Sequence, residues 1–155
     1  MNINELKNLT ETLSESFITA GQKALELRNK GLKTIIKADN TPVTNGDIEV
    51  DKLIKEKLTE ITPNIPLVSE ENVNLNHKNI YKDFWLIDPI DGTKDYIKNK
   101  DEFTLNASLI NNLEPVIGII YAPAKKRLFY SYGNKFAFEI NNGKKIVLNC
   151  KKANT

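Results

Sequence analysis

Trp85-Leu86-Ile87-Asp88-Pro89-Ile90-Asp91-Gly92-Thr93 is the stretch on which the reading of this chain turns. An apolar run ends in two carboxylates three residues apart, followed by Gly-Thr. Upstream, Pro66-Leu67-Val68-Ser69 is a second short apolar segment, and it ends in Glu70-Glu71. Four acids placed where strands end form a site for hard divalent cations such as Mg²⁺, which takes oxygen ligands in near-octahedral geometry. Pro89 fixes its own φ and cannot continue a ladder, so the strand is expected to stop at Asp88-Pro89. A turn there lets the Asp88 and Asp91 carboxylates and the Ile90 carbonyl face one point. One carboxylate can then bridge two cations about 3.5–4 Å apart. Gly92 permits close backbone approach, and a helix beginning there turns N–H groups and its dipole toward a phosphate. Thr93 can orient a water with its hydroxyl. The combination points to metal-assisted hydrolysis of a phosphate ester.

The flanking segments show where this site sits. Ile3, Leu6, Leu13, Phe17, Ala20, Ala24 and Leu27 recur at helical spacing, and Gly31 is a natural stop. A polar, Lys-rich stretch from Thr34 to Asn40 leads into Thr41-Pro42-Val43. A second helix begins near Thr44, where Thr44 and Asp47 form a capping box, and Pro63 ends it. Phe84 to Ile87 reads as a strand buried on both faces. Asn72 to Lys82 reads as a loop, and Thr93 to Lys98 as a short helix.

From Phe103 the rhythm changes to strands at 103–110, 115–121, 127–132, 135–140 and 144–148. They are separated by Asn-Asn, Pro, Gly-Asn and Asn-Asn-Gly turns. Short connections imply an antiparallel meander. The expected fold class is α+β: two N-terminal helices packed on one mostly antiparallel sheet. Residues 1–150 are read as one domain and 151–155 as a tail.

Composition narrows the function. The chain has 155 residues, 40% hydrophobic and 27% charged, with a net charge of +2. That charge is too small for a nucleic-acid binder. A single Cys, Cys150, excludes an intrachain disulfide and fits a reducing compartment. The only His, His77, lies in a polar stretch with nothing to pair it with that thiol. The N-terminus lacks the pattern of a signal peptide, and the longest apolar run, 116–122, is far too short to span a bilayer. A cytoplasmic protein without integral membrane association is expected. Taken singly, each motif has an ordinary structural reading. Thr44 is a cap, Asp47 a helix N-terminal acid, Glu70-Glu71 a solvated loop and Asp-Gly a turn. The combination is what is specific.

Lys37-Ala38-Asp39 through Thr44, Ser69-Glu70-Glu71 and Trp85 to Thr93 together resemble the lithium-sensitive, magnesium-dependent phosphatases of the inositol monophosphatase superfamily. The following Lys94-Asp95-Tyr96-Ile97, Glu102-Phe103-Thr104-Leu105-Asn106 and the segment 116–123 are similar to its bacterial 3′(2′),5′-bisphosphate nucleotidase branch. The resemblance implies the N-terminal half of the sugar-phosphatase fold. It also implies conversion of 3′-phosphoadenosine 5′-phosphate to AMP and phosphate by two-metal water attack. By carry-over, Glu70, Asp88 and the Ile90 carbonyl would hold one Mg²⁺ and Asp88 with Asp91 a second, with Glu70 reaching a third through water. Thr93 and Asp47 would activate the water, Glu71 assisting, and Gly92 and Thr93 would bind the phosphate. Glu70, Ile90 and Asp91 are expected to belong to the substrate-binding set as well. The expected small molecule is a phosphorylated nucleotide. Members of this branch are placed in the cytoplasm or peripherally at the inner membrane.

The family's Trp-Asp motif, which adds a carboxylate to the second metal, is missing, since Trp85 is the only Trp. The family's C-terminal domain is therefore expected to be absent. Two alternatives stand beside the nucleotidase reading. One is a non-catalytic remnant or split half that pairs with itself or a complementing chain. The other is a phosphatase of the inositol monophosphatase type, against which Lys94-Asp95 argues.

Overall fold

The computed structural model describes residues 1–72 and 81–149. His77, Cys150, the tail and most of the expected 72–82 loop lie outside the described residues. Helix α1 (Ile3–Lys30) opens on a capping box between Asn2 and Glu5. A two-stranded hairpin, β1 (Thr34–Ile36) and β2 (Pro42–Thr44), follows. Helix α2 (Asn45–Ile61) is capped by Thr44, whose side chain accepts from the Gly46 and Asp47 N–H groups, and Asp47 answers by accepting from the Thr44 N–H. Strand β3 (Leu67–Ser69) ends in a 3-10 turn at Glu70–Asn72. Strand β4 (Phe84–Asp91), helix α3 (Thr93–Ile97) and β5 (Thr104–Asn111) carry the acid motif and its flank. The chain then meanders through β6 (Glu114–Ala122), β7 (Arg127–Tyr132), β8 (Phe136–Asn141) and β9 (Lys144–Val147).

The seven strands β3 to β9 form one sheet in sequence order. Only β3–β4 is parallel; every other pair is antiparallel. Period-two alternation sends Trp85 and Ile87, Leu105 and Leu109, Ile117 and Ile119, and Leu128 and Tyr130 to one face. There they meet Leu13, Phe17, Ala20 and Ala24 of α1 and Val50, Ile54 and Leu58 of α2 in a single core. The α+β architecture of two helices on a mostly antiparallel sheet is present as expected. No described helix is long and apolar enough to cross a membrane.

Two expectations are corrected, and one stretch left without an element in the sequence takes one. β4 is not buried on both faces: Leu86 is 48% exposed, because both helices lie on the side of Trp85 and Ile87. β4 does not stop at Asp88-Pro89 but runs to Asp91, since a β-bulge absorbs the proline's missing donor. The Lys-rich stretch after α1 is a hairpin whose three-residue strands are too short to show alternation.

Trp85 ties the layers together. It is fully buried, and its Nε1 donates to Thr62 Oγ1 at 3.0 Å, just past the end of α2. Trp85→Phe keeps a ring in the core but removes that bond and leaves a void. A loss of about 1–3 kcal/mol is expected in urea unfolding.

Candidate metal and phosphate site

The bulge in β4 is what gathers the acids. In a regular strand, residues three apart point to opposite faces. Here Asp88 pairs with Asn106 and Asp91 with Thr104, three residues of β4 against two of β5. The extra residue returns Asp91 to the face of Asp88. Both acids line one open groove of about 400 Å³ with Leu86, Thr104, Asn106 and Ile120, on the sheet face away from the helices.

Glu70 enters from the end of the neighbouring strand β3. Ser69, buried one residue earlier, donates to Asp51 of α2, and Lys55 pairs with the same carboxylate at 2.6 Å. These bonds fix the strand end from which Glu70 and Glu71 depart. Burial first, then the negative charges of Glu70 and Asp91, push the Asp88 carboxyl up to about 7. A hydrogen bond with Glu70 adds to this, and one from Asn106 opposes it. Asp88 Oδ1 is buried without a hydrogen-bond partner. Glu71 is held by Lys37 of the hairpin, at 2.9 Å. Among the described residues no three His, Cys, Asp or Glu side chains close into a ligand set. The acids form a repelling cluster around Asp88, whose buried, unpaired oxygen and raised carboxyl fit a cation.

The N-termini of two helices meet behind this cluster. Asp47, 1% exposed in the first turn of α2, accepts from the Thr44 N–H at 2.8 Å and from the Thr44 hydroxyl. Thr93, at the start of α3, places its Oγ1 3.2 Å from Asp47 Oδ1 and 3.0 Å from the Ile90 carbonyl. Its single proton serves one of these acceptors at a time. Burial raises the Asp47 carboxyl above its ordinary value, against the hydrogen bonds from Thr44 and Thr93. Gly92 caps α3 in the left-handed conformation, φ 88°. The first N–H groups of α3 have no intrahelical partner, which makes this turn a natural place for an anionic oxygen.

The structure thus brings Asp88, Asp91 and Glu70 together, and sets Asp47, Thr93, Gly92 and the Ile90 carbonyl beside them. Glu71, next to Glu70 in the same turn, is ion-paired with Lys37. Two partners were not assigned roles from sequence: Lys37, on a hairpin without a clear strand signal, and Asn106. The signal for Asn106 was the Thr104-x-Asn106 spacing, which places both residues on one face of a strand.

A family model described as the inositol monophosphatase family matches residues 5–153. The chain belongs to that family. Curated relatives carry the name 3′(2′),5′-bisphosphate nucleotidase CysQ. The one from Aggregatibacter actinomycetemcomitans is 36% identical over 146 residues, covering 90% of this chain and 54% of the relative. The one from Buchnera aphidicola is 34% identical over 153 residues, covering 97% and 58%. Among solved structures, CysQ from Bacteroides thetaiotaomicron superposes with a TM-score of 0.71 at 33% identity, covering 90% of this chain and 51% of that one. A staphylococcal inositol monophosphatase in a lithium-soaked inhibitory complex gives 0.78 at 22% identity, over 91% and 53%, a likeness of fold. The chain spans about half the length of these family members.

Proposed function

We propose that this chain carries the metal- and phosphate-binding machinery of a magnesium-dependent phosphatase that converts 3′-phosphoadenosine 5′-phosphate to AMP and phosphate. The observation that carries the reading is the bulge that turns Asp88 and Asp91 to one face beside Glu70, with the Thr93–Asp47 hydrogen bond behind them. Glu70, Asp88, Asp91 and the Ile90 carbonyl would hold two or three Mg²⁺ ions. When bound, Mg²⁺ lowers the pKa of water and offsets charge on the leaving oxygen. The chain's own residues do the rest. The Gly92 and Thr93 N–H groups seat the phosphate. The Thr93 hydroxyl orients the attacking water, and its proton passes to Asp47 Oδ1. Burial makes Asp47 a stronger proton acceptor than an exposed carboxylate. Glu71, held by its ion pair with Lys37, assists in activating that water.

The nucleotide is preferred over an inositol phosphate because the relatives at 34–36% identity are bisphosphate nucleotidases and because Lys94-Asp95 follows the motif. Phosphate release is measured with Mg²⁺ on 3′-phosphoadenosine 5′-phosphate, inositol 1-phosphate and fructose 1,6-bisphosphate. The highest kcat/KM is expected with the nucleotide, and Thr93→Ala lowers kcat by about 10²–10⁴-fold. Turnover no greater than that of Asp88→Asn would end the catalytic reading.

One observation favours a partner. Among the described residues nothing covers Leu86 and Ile120, each 48% exposed beside the acids on the sheet face opposite the helices. A complementing chain or a second copy covering this face would exclude water from the reacting phosphate. Full activity from a species that sedimentation shows to be a monomer would dismiss it.

A further inference from the structure

We propose that Asn106 is a positioning residue for Asp88, holding the carboxylate through its side-chain amide while its own carbonyl oxygen faces the hydration shell of a divalent cation. The inference rests on the reading of Asp88 as a cation ligand. Asn106 lies directly across the β4–β5 ladder from Asp88, on the last paired position before the bulge. Directly opposite residues on one face of an antiparallel pair are side-chain neighbours, so the Asn106 amide stands within reach of the Asp88 carboxyl. Asn106 Oδ1 and Asp88 Oδ1 are both buried, and neither has a hydrogen-bond partner. They line the same groove as Thr104 and Asp91.

The residue type follows from these constraints. Asp88 is already pressed by Glu70 and Asp91, so another acid at 106 would add a like charge. An aliphatic residue would leave the carboxylate free to turn. A neutral amide donates to Asp88 at one end and offers an acceptor at the other. A buried carbonyl oxygen without a donor is unfavourable, and a water ordered by a cation on Asp88 supplies the missing donor. Carboxylates that ligate metals are generally held in this way by hydrogen bonds from residues that do not touch the ion.

Titration calorimetry with Mn²⁺ on the full chain tests the assignment, in wild type, Asn106→Leu, Asn106→Ala and Asp88→Asn. Both Asn106 variants should bind Mn²⁺ about 10–100-fold more weakly while the metal-free melting temperature stays near that of wild type. In ¹⁵N-labelled wild type, the Asn106 side-chain amide signal should shift on adding Mg²⁺, which a purely structural amide would not show. Unchanged Mn²⁺ affinity in folded variants overturns the role of Asn106 and leaves the metal site standing. An amide signal that Mg²⁺ does not move overturns it as well, whatever the variants' folding. Wild type that takes up no Mn²⁺ removes the metal site, and this inference with it.

Discussion

Asp88→Asn is expected to abolish the stabilisation of the protein by Mg²⁺ and, without Mg²⁺ at pH 8, to make it more stable than wild type. A ligand that binds only the folded state at 100 times its Kd adds about 2.7 kcal/mol. In a chain of this length that is a rise of about 5–10 °C in Tm. The variant keeps the shape of the side chain but loses the charge and should show none of this rise. The metal-free half of the prediction follows from the direction in which Asp88 is moved. Its folded-state value, about 7, lies above the ordinary 3.8, so the folded protein binds more protons than the unfolded one between those limits. The stability Asp88 contributes is therefore complete below about pH 4 and is lost as pH rises through 7. Proton linkage makes this worth about 1.4 kcal/mol for each pH unit between the two values, and after allowance for solvent screening at this half-buried group the loss is on the order of 2 kcal/mol. Asparagine carries no such loss. Chemical unfolding at pH 4 and pH 8, each with and without Mg²⁺, reads both effects. A variant less stable than wild type at pH 8 without metal would contradict the cluster of repelling acids. A variant that Mg²⁺ still stabilises would contradict the role of Asp88.

Most of the architecture was legible because it rests on local rules. The period of α1, the Thr44–Asp47 box at the start of α2, Pro63 after it, and the Asn- and Gly-rich turns between β5 and β9 each stand in a few consecutive residues. What was not legible depends on which face a neighbour covers. Leu86 is as apolar as Ile87, and only the packing of the helices against Trp85 and Ile87 leaves it half-exposed. The bulge is the instructive case. Pro89 correctly signals a break in pairing, but a break can end a strand or insert a residue into it. Thr104 and Asn106 on β5 supply the partners that favour the second outcome. That choice decides whether Asp88 and Asp91 share a face. The Thr93–Asp47 contact spans 46 residues, and no spacing rule within either helix announces it. Lys37 pairs with Glu71 across 34 residues through a hairpin of two three-residue strands.

Gly92→Ala should cost more stability than any other single methyl addition at a turn glycine of this chain, and should disable phosphate binding at the same time. Two penalties add at this position. The left-handed conformation, φ 88° and ψ 31°, costs an L-residue about 1–2 kcal/mol. A Cβ there would also stand 2.6 Å from the Glu102 carbonyl oxygen and 3.3 Å from the Phe103 Cα. That backbone cannot easily give way. Phe103 is buried against Tyr96, with ring centroids 4.8 Å apart, and Tyr96 is tied by its hydroxyl to the Ala24 carbonyl of α1 at 2.7 Å. Arg28 of the same helix donates to the Lys100 carbonyl at 2.6 Å and lies over the Phe103 ring. The alternative is for α3 to move, which shifts the Thr93 hydroxyl away from Asp47 and the first-turn N–H groups away from the phosphate. Gly143 separates the two penalties. It has φ 80°, and a Cβ there meets nothing within 4 Å, so Gly143→Ala carries the conformational cost alone, about 1–2 kcal/mol. Gly92→Ala is expected to exceed it by about 2 kcal/mol in urea unfolding, within the usual range for overpacking. Gly92→Asn, which relieves the left-handed cost but keeps the Cβ, should recover only part of the difference. Equal losses for Gly92→Ala and Gly143→Ala would mean that the 102–103 backbone yields, and α3 would then not be held against α1 as tightly as these contacts require.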